Sequence, residues 1–416
     1  MIEHNFNEGK ISKCQICNSL NLIEVINIGE QPLANTLLEN LNDDKNKKSF
    51  PINVVRCKDC TLLQIDYIAN QNEVYHPGYP YLPGITKTVD NEQKQLCDYL
   101  METLKLNSKD LVVDVGSNDG SLLNHFKNYN VKVIGVEPTD IAKIANKNKI
   151  ETLQMFFNEN SSEKILSTHG AAKLITSTNV FAHMSTLGDV MKGIIKLLSK
   201  DGYFCFENHY SLEILKNVQY DTFYHEHLRT YSLISLEYLF NNYGLYLFDA
   251  QIVTRYGGSI RCVVSKEKKN KTKRLKDLIK LEKKLLVDEA DKTYDAFKNQ
   301  IKNSKENLIN LLKKLKKDNM KIIAKSCPAR AVVLLNYCNL DNQLIDYIAE
   351  QPSSLKLNKY VPGTGIKIIS DDILLEDQPD YILLLAWHLS EPIIKKWKDK
   401  GLNSKFIIPL PEVKII

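Results

Sequence analysis

The sequence has 416 residues, against a usual ~100–200 per domain, so it predicts two or three domains and excludes a mini-protein. Its 43% apolar and 25% charged residues are typical of a globular protein. No window approaches the ~18 uninterrupted apolar residues of a membrane span. The net charge of +5 is mild and comes from Lys-rich stretches, which does not indicate nucleic-acid binding. Residues 1–5 lack the start of a secretory signal, so we expect a cytoplasmic protein with reduced cysteines.

Four of the nine cysteines form two pairs near the amino terminus, Cys14 with Cys17 and Cys57 with Cys60. Thiolates at positions i and i+3 of a tight turn can bind one tetrahedral ion, and two such pairs form a closed site. The segment between the pairs is longer than the ~15–20 residues of compact ribbons, which a hairpin between two knuckles would accommodate. Residues 1–75 are therefore predicted to be a module with structural zinc. Four unpaired buried cysteines, or redox catalysis, are the alternatives.

Short apolar runs alternate with helical stretches from about residue 100 onward. The runs are 111–115, 131–136 and 174–177. Strands that alternate with helices predict a parallel, doubly wound sheet, in a domain at residues 76–265.

A charged tract at residues 266–320 has Leu and Ile at helical spacing, interrupted near Asp288. This pattern predicts a helical connector, with a partner-binding coiled coil as the alternative. The strand pattern then restarts. Its apolar runs are 321–324, 344–348 and 381–387. Residues 321–416 are therefore predicted to form a second α/β domain.

A glycine-containing loop follows the first strand of the middle domain, where doubly wound sheets bind cofactors. Glu137 ends the next strand, 23 residues after Asp114, at the distance where an acid accepts both hydroxyls of a ribose. Asp119 is unfavourable beside the pyrophosphate of NAD, whereas S-adenosylmethionine (SAM) has no phosphate and carries two cationic groups. The loop therefore predicts SAM rather than NAD. The predicted cofactor-binding residues are Asp114, Gly116, Asn118, Asp119, Gly120, Glu137, Asn179 and His183. Helix capping is the alternative for Asn179.

The runs 115–123 and 223–227 resemble the sugar C-methyltransferases of deoxysugar pathways. The likeness extends over nearly the whole chain and includes both cysteine pairs. It also covers the stretches 257–261, 334–337 and 360–364. A series of motifs in one order is specific to that family.

The resemblance implies methyl transfer from SAM to a ring carbon beside the ketone of a nucleotide-linked 4-keto-deoxysugar. It implies an α/β fold with a small structural zinc module, a class I (Rossmann-like) SAM methyltransferase domain, a helical connector and a second Rossmann-like domain that binds the nucleotide sugar. By position in the motif, Tyr224, Glu226 and His227 would form the catalytic group. One of Tyr79 and Tyr81 would match a tyrosine ahead of the SAM domain.

Carbon methylation beside a ketone needs a base on the α-proton and a donor on the ketone oxygen. His227 has a suitable ordinary pKa of ~6.5, with an acid nearby to orient it and the Tyr224 phenol to donate to the enolate. We predict His227 as the base. A core-facing loop with satisfied imidazoles is the alternative, and a second metal at His225 and His227 is a further one.

Further polar side chains follow strands or stand within the family motifs. Glu207 and His209 end an apolar run, where doubly wound sheets bind ligands. Tyr256 stands where the family motif has His, and Arg330 belongs to a turn that is more Gly-rich in the family. The candidate substrate contacts are Glu207, His209, His225, Tyr256, Arg261, Arg330 and Asn336.

The sequence thus predicts an enzyme with SAM and zinc as cofactors and a nucleotide-linked ketosugar as its small-molecule partner. We expect no nucleic acid, membrane or obligate protein partner. The alternatives are a non-catalytic, zinc-containing nucleotide-sugar binding protein and a NAD-dependent nucleotide-sugar epimerase.

Overall fold

A computed structural model describes residues 4–75 and 87–416 of the chain. Its amino-terminal part is a small β module. The elements are β1 (Gly9–Lys10), β2 (Leu22–Pro32), a 3-10 turn (Leu41–Asn46), β3 (Ser49–Cys57), β4 (Leu63–Ile65), β5 (Tyr67–Ile68) and α1 (Gln71–Val74). Strands β2, β3 and β4 form an antiparallel meander, and β1 pairs with β5. The long β2–β3 hairpin fills the distance between the two cysteine pairs, as predicted.

The middle part of the chain alternates strands and helices around one large sheet. Its elements are α2 (Lys87–Leu104), β6 (Leu111–Val115), α3 (Ser121–Lys127), β7 (Lys132–Val136), α4 (Ala142–Lys147), β8 (Thr152–Leu153), α5 (Glu159–His169), β9 (Ala172–Thr178), α6 (Leu187–Leu197), β10 (Leu198–His209), α7 (Ser211–Lys216), β11 (Arg229–Thr230), α8 (Leu233–Asn242), β12 (Tyr246–Val253) and β13 (Ser259–Ser265). The strand order is β12-β13-β10-β9-β6-β7-β8. Strands β6 to β10 pair in parallel, and β13 runs antiparallel to both of its neighbours. The doubly wound sheet is confirmed.

Central strand β6 is buried along its whole length because helices cover both faces of the sheet. Val112 packs in a cluster with Leu100 of α2, whereas Val113 packs on the opposite face with Ile165 of α5 and Ile194 of α6. The parallel strands all end at one edge of this sheet. That edge carries the predicted cofactor loop and the candidate substrate residues.

Short strand β11 leaves the middle domain and joins the amino-terminal sheet. It pairs antiparallel with β4, with Arg229 opposite Gln64 and Thr230 opposite Leu63. Because β11 comes directly after the segment 223–227, the amino-terminal sheet holds one end of the predicted catalytic segment.

The charged tract is helical, as predicted. It comprises α9 (Lys273–Glu282), a π-helical turn (Lys283–Asp288) and α10 (Ala290–Lys317). Among its apolar residues, Leu275, Leu308 and Leu312 are buried, and α9 contacts α8 and β12. Across residues 4–75 and 87–416, no helix combines the length and apolar character needed to cross a membrane.

The carboxy-terminal part is a second α/β domain, with a mixed sheet. Its elements are β14 (Ile322–Lys325), α11 (Ala329–Tyr337), β15 (Ile348–Glu350), β16 (Ile368–Ser370), α12 (Leu374–Asp377), β17 (Tyr381–Leu384), α13 (Ser390–Asp399), β18 (Lys405–Ile408) and β19 (Lys414–Ile415). The strand order is β16-β15-β14-β17-β18-β19, with only β19 antiparallel to its neighbour among the pairings of this sheet. Of the predicted strand 344–348, only Ile348 lies in a strand, as the first residue of β15. The residues before it follow a turn, in which the backbone N–H groups of Leu344 and Ile345 donate to the carbonyl of Asp341.

Candidate active site

The four cysteines predicted as zinc ligands converge in the amino-terminal module. Their sulfur atoms all lie within 4.8 Å of one another, at 3.4 Å from Cys14 to Cys60 and 3.4 Å from Cys17 to Cys57. A tetrahedral site with Zn–S bonds of ~2.3 Å needs sulfur separations of ~3.8 Å, so four thiolates at these distances fit zinc. Four protein ligands complete the tetrahedron, which is the arrangement of a structural site.

The predicted cofactor loop connects β6 to α3 and requires both of its glycines. Gly116 has a φ of 73°, and a Cβ there would lie 2.5 Å from the Val180 side chain. Gly120 has a φ of 80°, and its Cβ would lie 2.9 Å from Ile150. Asn118 also adopts a positive φ, of 49°. The loop therefore presents backbone rather than side chains at the edge of the sheet.

The predicted acidic residues of this region lie around the loop. Glu137 accepts the backbone N–H of Asn118 at 3.1 Å and, through its other oxygen, the N–H and hydroxyl of Thr139 at 2.9 and 2.7 Å. A carboxylate can accept about four hydrogen bonds, so these three leave capacity for a ribose hydroxyl. Burial raises the pKa of Asp114 to about 7, although the Thr176 hydroxyl donates to it at 2.7 Å. A ligand cation would favour its ionised form.

Asp119 has a structural role within the loop. Its Oδ1 accepts the backbone N–H of Ser121 at 3.1 Å and the Ser121 hydroxyl at 2.5 Å, at the start of α3. A contact of Asp119 with the cofactor stays a prediction.

Several buried polar groups at the ends of β9 and β10 have no hydrogen-bond partner among the described residues. They are the amide groups of Asn179 and Asn208 and the Nε2 of His183. Buried polar groups are normally satisfied, so this cluster fits a polar ligand. Helix α6 begins only at Leu187, so Asn179 does not cap it. The predicted cofactor role of Asn179 and His183 is compatible with these positions.

Three imidazoles meet beside the end of β10. The ring centroid of His227 lies 4.4 Å from that of His209, 4.9 Å from His183 and 4.0 Å from Tyr224. Burial lowers the pKa of His209 to about 3, of His183 to about 4, and of His227 well below its ordinary value. All three rings are therefore neutral at neutral pH. Among the described residues, the cysteine cluster is the only group with metal-binding geometry, and the imidazoles do not form a second one.

A hydrogen bond fixes which nitrogen of His227 carries the proton. Its Nδ1 lies 2.6 Å from the backbone oxygen of Thr222 and 3.3 Å from the Thr222 hydroxyl. A carbonyl oxygen only accepts, so Nδ1 is the donor and Nε2 keeps its lone pair. The sequence suggested that a neighbouring acid orients this imidazole, but the structure places a backbone carbonyl there.

The amino-terminal module contacts the two residues that precede His227. The amide of Asn35 donates to Glu226 at 2.6 Å. His225 lies with Nε2 3.2 Å from the backbone oxygen of Phe50, and burial lowers its pKa to about 4. The module thus holds the predicted catalytic segment by side chains as well as by β11.

Two predicted substrate contacts pair with each other. Arg261 donates to Glu207 at 2.6 Å, and Arg255 contacts the other oxygen of Glu207 at 3.5 Å. Tyr256, which lies between Arg255 and Arg261 in the sequence, adopts a left-handed φ of 54°. Its ring centroid lies 6.2 Å from that of His209. Strained non-glycine residues cluster at functional sites. A substrate contact by Glu207, Arg261 or Tyr256 stays a prediction.

The predicted contacts Arg330 and Asn336 have partners within the protein. Arg330 donates through two nitrogens to Asp221, at 2.8 and 2.6 Å. Asn336 donates to the carbonyls of Val332 and Pro362 at 2.9 and 3.1 Å. Their binding of substrate stays a prediction.

The sequence analysis missed two aromatic rings that lie beside the predicted site residues His183 and Tyr256. Tyr75 stacks on His183 at 6.4 Å, and His388 of the carboxy-terminal domain lies 6.4 Å from Tyr256. His388 follows a predicted strand, which is the one sequence signal that pointed to it. The predicted tyrosines Tyr79 and Tyr81 lie outside the described residues.

Three family models match the chain in order. They are a zinc binding domain at residues 14–75, a methyltransferase domain at 89–249 and a C-methyltransferase C-terminal domain at 254–411. The chain is 31% identical to the C-methyltransferase NovU of Streptomyces niveus, over 98% of this chain and 97% of that protein.

Two solved structures align with about half of the chain. A SAM-dependent methyltransferase of Anabaena variabilis has 16% identity and a TM-score of 0.36 over 47% of this chain and 90% of its own. The 1,6-didemethyltoxoflavin-N1-methyltransferase of Burkholderia thailandensis has 16% identity and a TM-score of 0.36 over 50% of this chain and 97% of its own. Both scores are too low for either likeness to assign a substrate.

The fold, the cofactor loop and the cysteine cluster together define a zinc-containing, SAM-dependent methyltransferase of class I. Within that class, the chain belongs to the C-methyltransferase family, on its identity to NovU over nearly the full length of both proteins.

Proposed function

We propose that this C-methyltransferase acts on a nucleotide-linked 4-keto-deoxysugar and methylates the carbon next to the ketone. The observation that carries the proposal is the buried, neutral His227, whose Nδ1 donates to the Thr222 carbonyl and whose Nε2 keeps its lone pair. The sugar class is supported by the motif resemblance and by membership of the family.

The reaction needs a base such as His227, because a proton on the carbon beside a ketone is too weakly acidic to be lost to water at neutral pH. His227 takes this proton on Nε2, and the electron pair left behind forms an enolate. The bound SAM supplies an electrophilic methyl group. Transfer of that group to the enolate carbon would break the sulfur–methyl bond of SAM and leave S-adenosylhomocysteine, and His227 passes its proton to solvent. The Thr222 carbonyl stabilises the imidazolium that His227 becomes, because it accepts the Nδ1–H.

A phenol beside the base is suited to donate to the enolate oxygen. Burial, with the nearby Glu226 carboxylate, raises the pKa of Tyr224 well above its ordinary value. Tyr224 therefore keeps its proton at neutral pH and donates a hydrogen bond where negative charge develops. Tyr75, whose pKa burial and Glu226 also raise, is a second donor of this kind.

The experiment is to incubate the protein with SAM and a panel of nucleotide-linked 4-ketosugars, and to read the products by mass spectrometry. We expect a mass gain of one methylene group, with equal formation of S-adenosylhomocysteine. The matched control is the same sugar with its ketone reduced to an alcohol, which has no acidic α-proton and should not react. Binding of SAM without methylation of any ketosugar, or methylation of the reduced sugar, would contradict the proposal. NAD binding in place of SAM would instead favour an epimerase.

A further inference from the structure

The turn at residues 219–222, which contains the 3-10 helix Tyr220–Thr222, lies between the base and the carboxy-terminal domain. On one side, Thr222 accepts the Nδ1–H of His227 at 2.6 Å. On the other side, the three preceding side chains contact the carboxy-terminal domain. Tyr220 packs its ring on Tyr337 of α11 at 5.2 Å, and Gln219 and Asp221 bond Arg330.

Arg330 donates four hydrogen bonds at this boundary, at least one through each guanidinium nitrogen. Nε and one terminal nitrogen donate to the two oxygens of Asp221 at 2.8 and 2.6 Å. The guanidinium also donates to the side-chain oxygen of Gln219 at 3.1 Å and to the carbonyl of Tyr256 at 3.3 Å. The amide of Gln219 in turn donates to the carbonyl of Gly257 at 2.7 Å. One residue of the carboxy-terminal domain therefore ties together the turn behind His227 and the strained loop of Tyr256.

Asp221 is fully buried and has a third donor, the indole Nε1 of Trp387 at 2.9 Å. The Arg330 guanidinium also lies over the Trp387 ring, at 4.9 Å. Buried ion pairs contribute little net stability compared with apolar residues of similar volume, and their best attested use is to specify one geometry. A fork of two parallel hydrogen bonds fixes distance and orientation together.

We propose that Arg330 and Asp221 are positioning residues for the base. Their pair holds the turn 219–222 against the carboxy-terminal domain, so the Thr222 carbonyl stays where it selects the Nδ1–H form of His227. Docking of the carboxy-terminal domain thereby assembles the base in the middle domain. This inference rests on the proposed function of His227.

The test compares wild type with Asp221→Asn and Arg330→Lys, using two readouts. The first is the nitrogen NMR spectrum of histidine-labelled protein at neutral pH, with the His227 signals assigned by their loss in His227→Asn. Wild type should show the Nδ1–H form alone, and both variants should show a mixture of the two neutral forms.

The second readout is turnover of the ketosugar. The kcat of both variants should fall about 10- to 100-fold, because a misplaced base loses its alignment with the substrate. The KM for SAM should stay within about twofold, since Arg330 and Asp221 do not line the cofactor loop. Arg330→Lys keeps the charge and should lose less activity than Asp221→Asn.

The matched control is Asp249→Asn. Asp249 is a buried carboxylate on β12 that pairs with Arg274 of the connector, with 2.6 Å between Arg274 Nε and Asp249 Oδ1. It has the same chemistry at another domain boundary, and its variant should leave both readouts unchanged. An unmixed Nδ1–H signal in both test variants, with or without a fall in kcat, would overturn the proposal. The NMR readout needs no substrate, so the proposal stays testable if every ketosugar fails. If the NMR spectra change in the two variants as expected but wild type methylates no ketosugar, the proposed function alone is overturned.

Discussion

Burial decides the charge of the histidines at the active site. His183, His209 and His227 all have lowered pKa values because their surroundings disfavour the charged form. A neutral imidazole is ready to accept a proton at neutral pH, but a low pKa also makes it a weaker base. The bond from Nδ1 of His227 to the Thr222 carbonyl offsets part of this weakness, because it stabilises the protonated ring.

Glu137 is the predicted acceptor for the ribose hydroxyls of SAM, so substitutions of Glu137 test the predicted cofactor site. Glu137→Ala removes the predicted ribose acceptor and the bond to the N–H of Asn118, so SAM binding should weaken by roughly 1–3 kcal/mol in calorimetry. Glu137→Gln keeps one oxygen acceptor and should lose less. Glu151→Gln, at an exposed position, is the matched control and should bind SAM normally. Equal SAM affinity in Glu137→Ala and wild type would contradict the assignment.

Helix α8 is held at its start by a neighbouring element. Glu282 of α9 is buried and accepts the backbone N–H groups of Leu233 and Ile234 at 2.6 and 2.9 Å. Ser232, the N-cap residue of α8, also contacts the Thr61 hydroxyl of the amino-terminal module at 2.7 Å. The start of α8 therefore contacts the connector through its unpaired backbone N–H groups and the zinc module through the hydroxyl of its N-cap residue.

The buried Glu282 predicts a dependence of stability on pH. Burial raises its pKa from 4.5 to about 7, so between these pH values the folded protein holds a proton that the unfolded chain has lost. The free energy of unfolding should therefore fall by up to about 1.4 kcal/mol per pH unit as pH rises through this window, and level off above it. In urea denaturation, Glu282→Gln should lack this part of the slope.

The control for that measurement is Glu306→Gln, at an exposed position of α10. Its slope should match wild type. Asp114 also titrates near pH 7 but is present in all three proteins, so the difference between them isolates Glu282. Identical slopes in Glu282→Gln and wild type would show that Glu282 is already ionised in the folded state.

Strand β11 links the zinc module to the predicted catalytic segment, because it pairs with a strand of that module's sheet. We expect one tightly bound zinc ion per chain by metal analysis. Cys57→Ser should lose zinc and lower stability and turnover together, since a closed site offers the substrate no coordination position. Cys97→Ser, outside the cluster, should keep its zinc. Metal-free wild type, or a loss of turnover with unchanged folding in Cys57→Ser, would contradict a structural role.

At the scale of the whole molecule, the sequence predicted what depends on local patterns. The spacing of Cys14, Cys17, Cys57 and Cys60 predicted the metal cluster, and apolar periodicity predicted both sheets and the connector. These features are local because a knuckle, a strand or a helix face is encoded within a few residues.

Contacts between segments that are distant in the chain could not be predicted from the sequence. The Thr222 carbonyl behind His227 is a backbone group with no residue signature, and the pairing of Asp221 with Arg330 joins residues more than a hundred positions apart. The addition of β11 to the amino-terminal sheet depends on two residues whose pattern is uninformative. Tertiary packing determines all three, so only the structure reveals them.

Proton exchange in the absence of methyl transfer tests whether His227 is the base. The ketosugar is incubated in deuterated water with S-adenosylhomocysteine, which occupies the cofactor site but carries no transferable methyl group. Wild type should wash deuterium into the carbon beside the ketone. His227→Asn should bind SAM normally yet exchange and methylate about 10²–10⁴ times more slowly, whereas His169→Asn, on the surface, should behave as wild type. Near-normal exchange and turnover in His227→Asn would contradict the account and move the role of base to another residue.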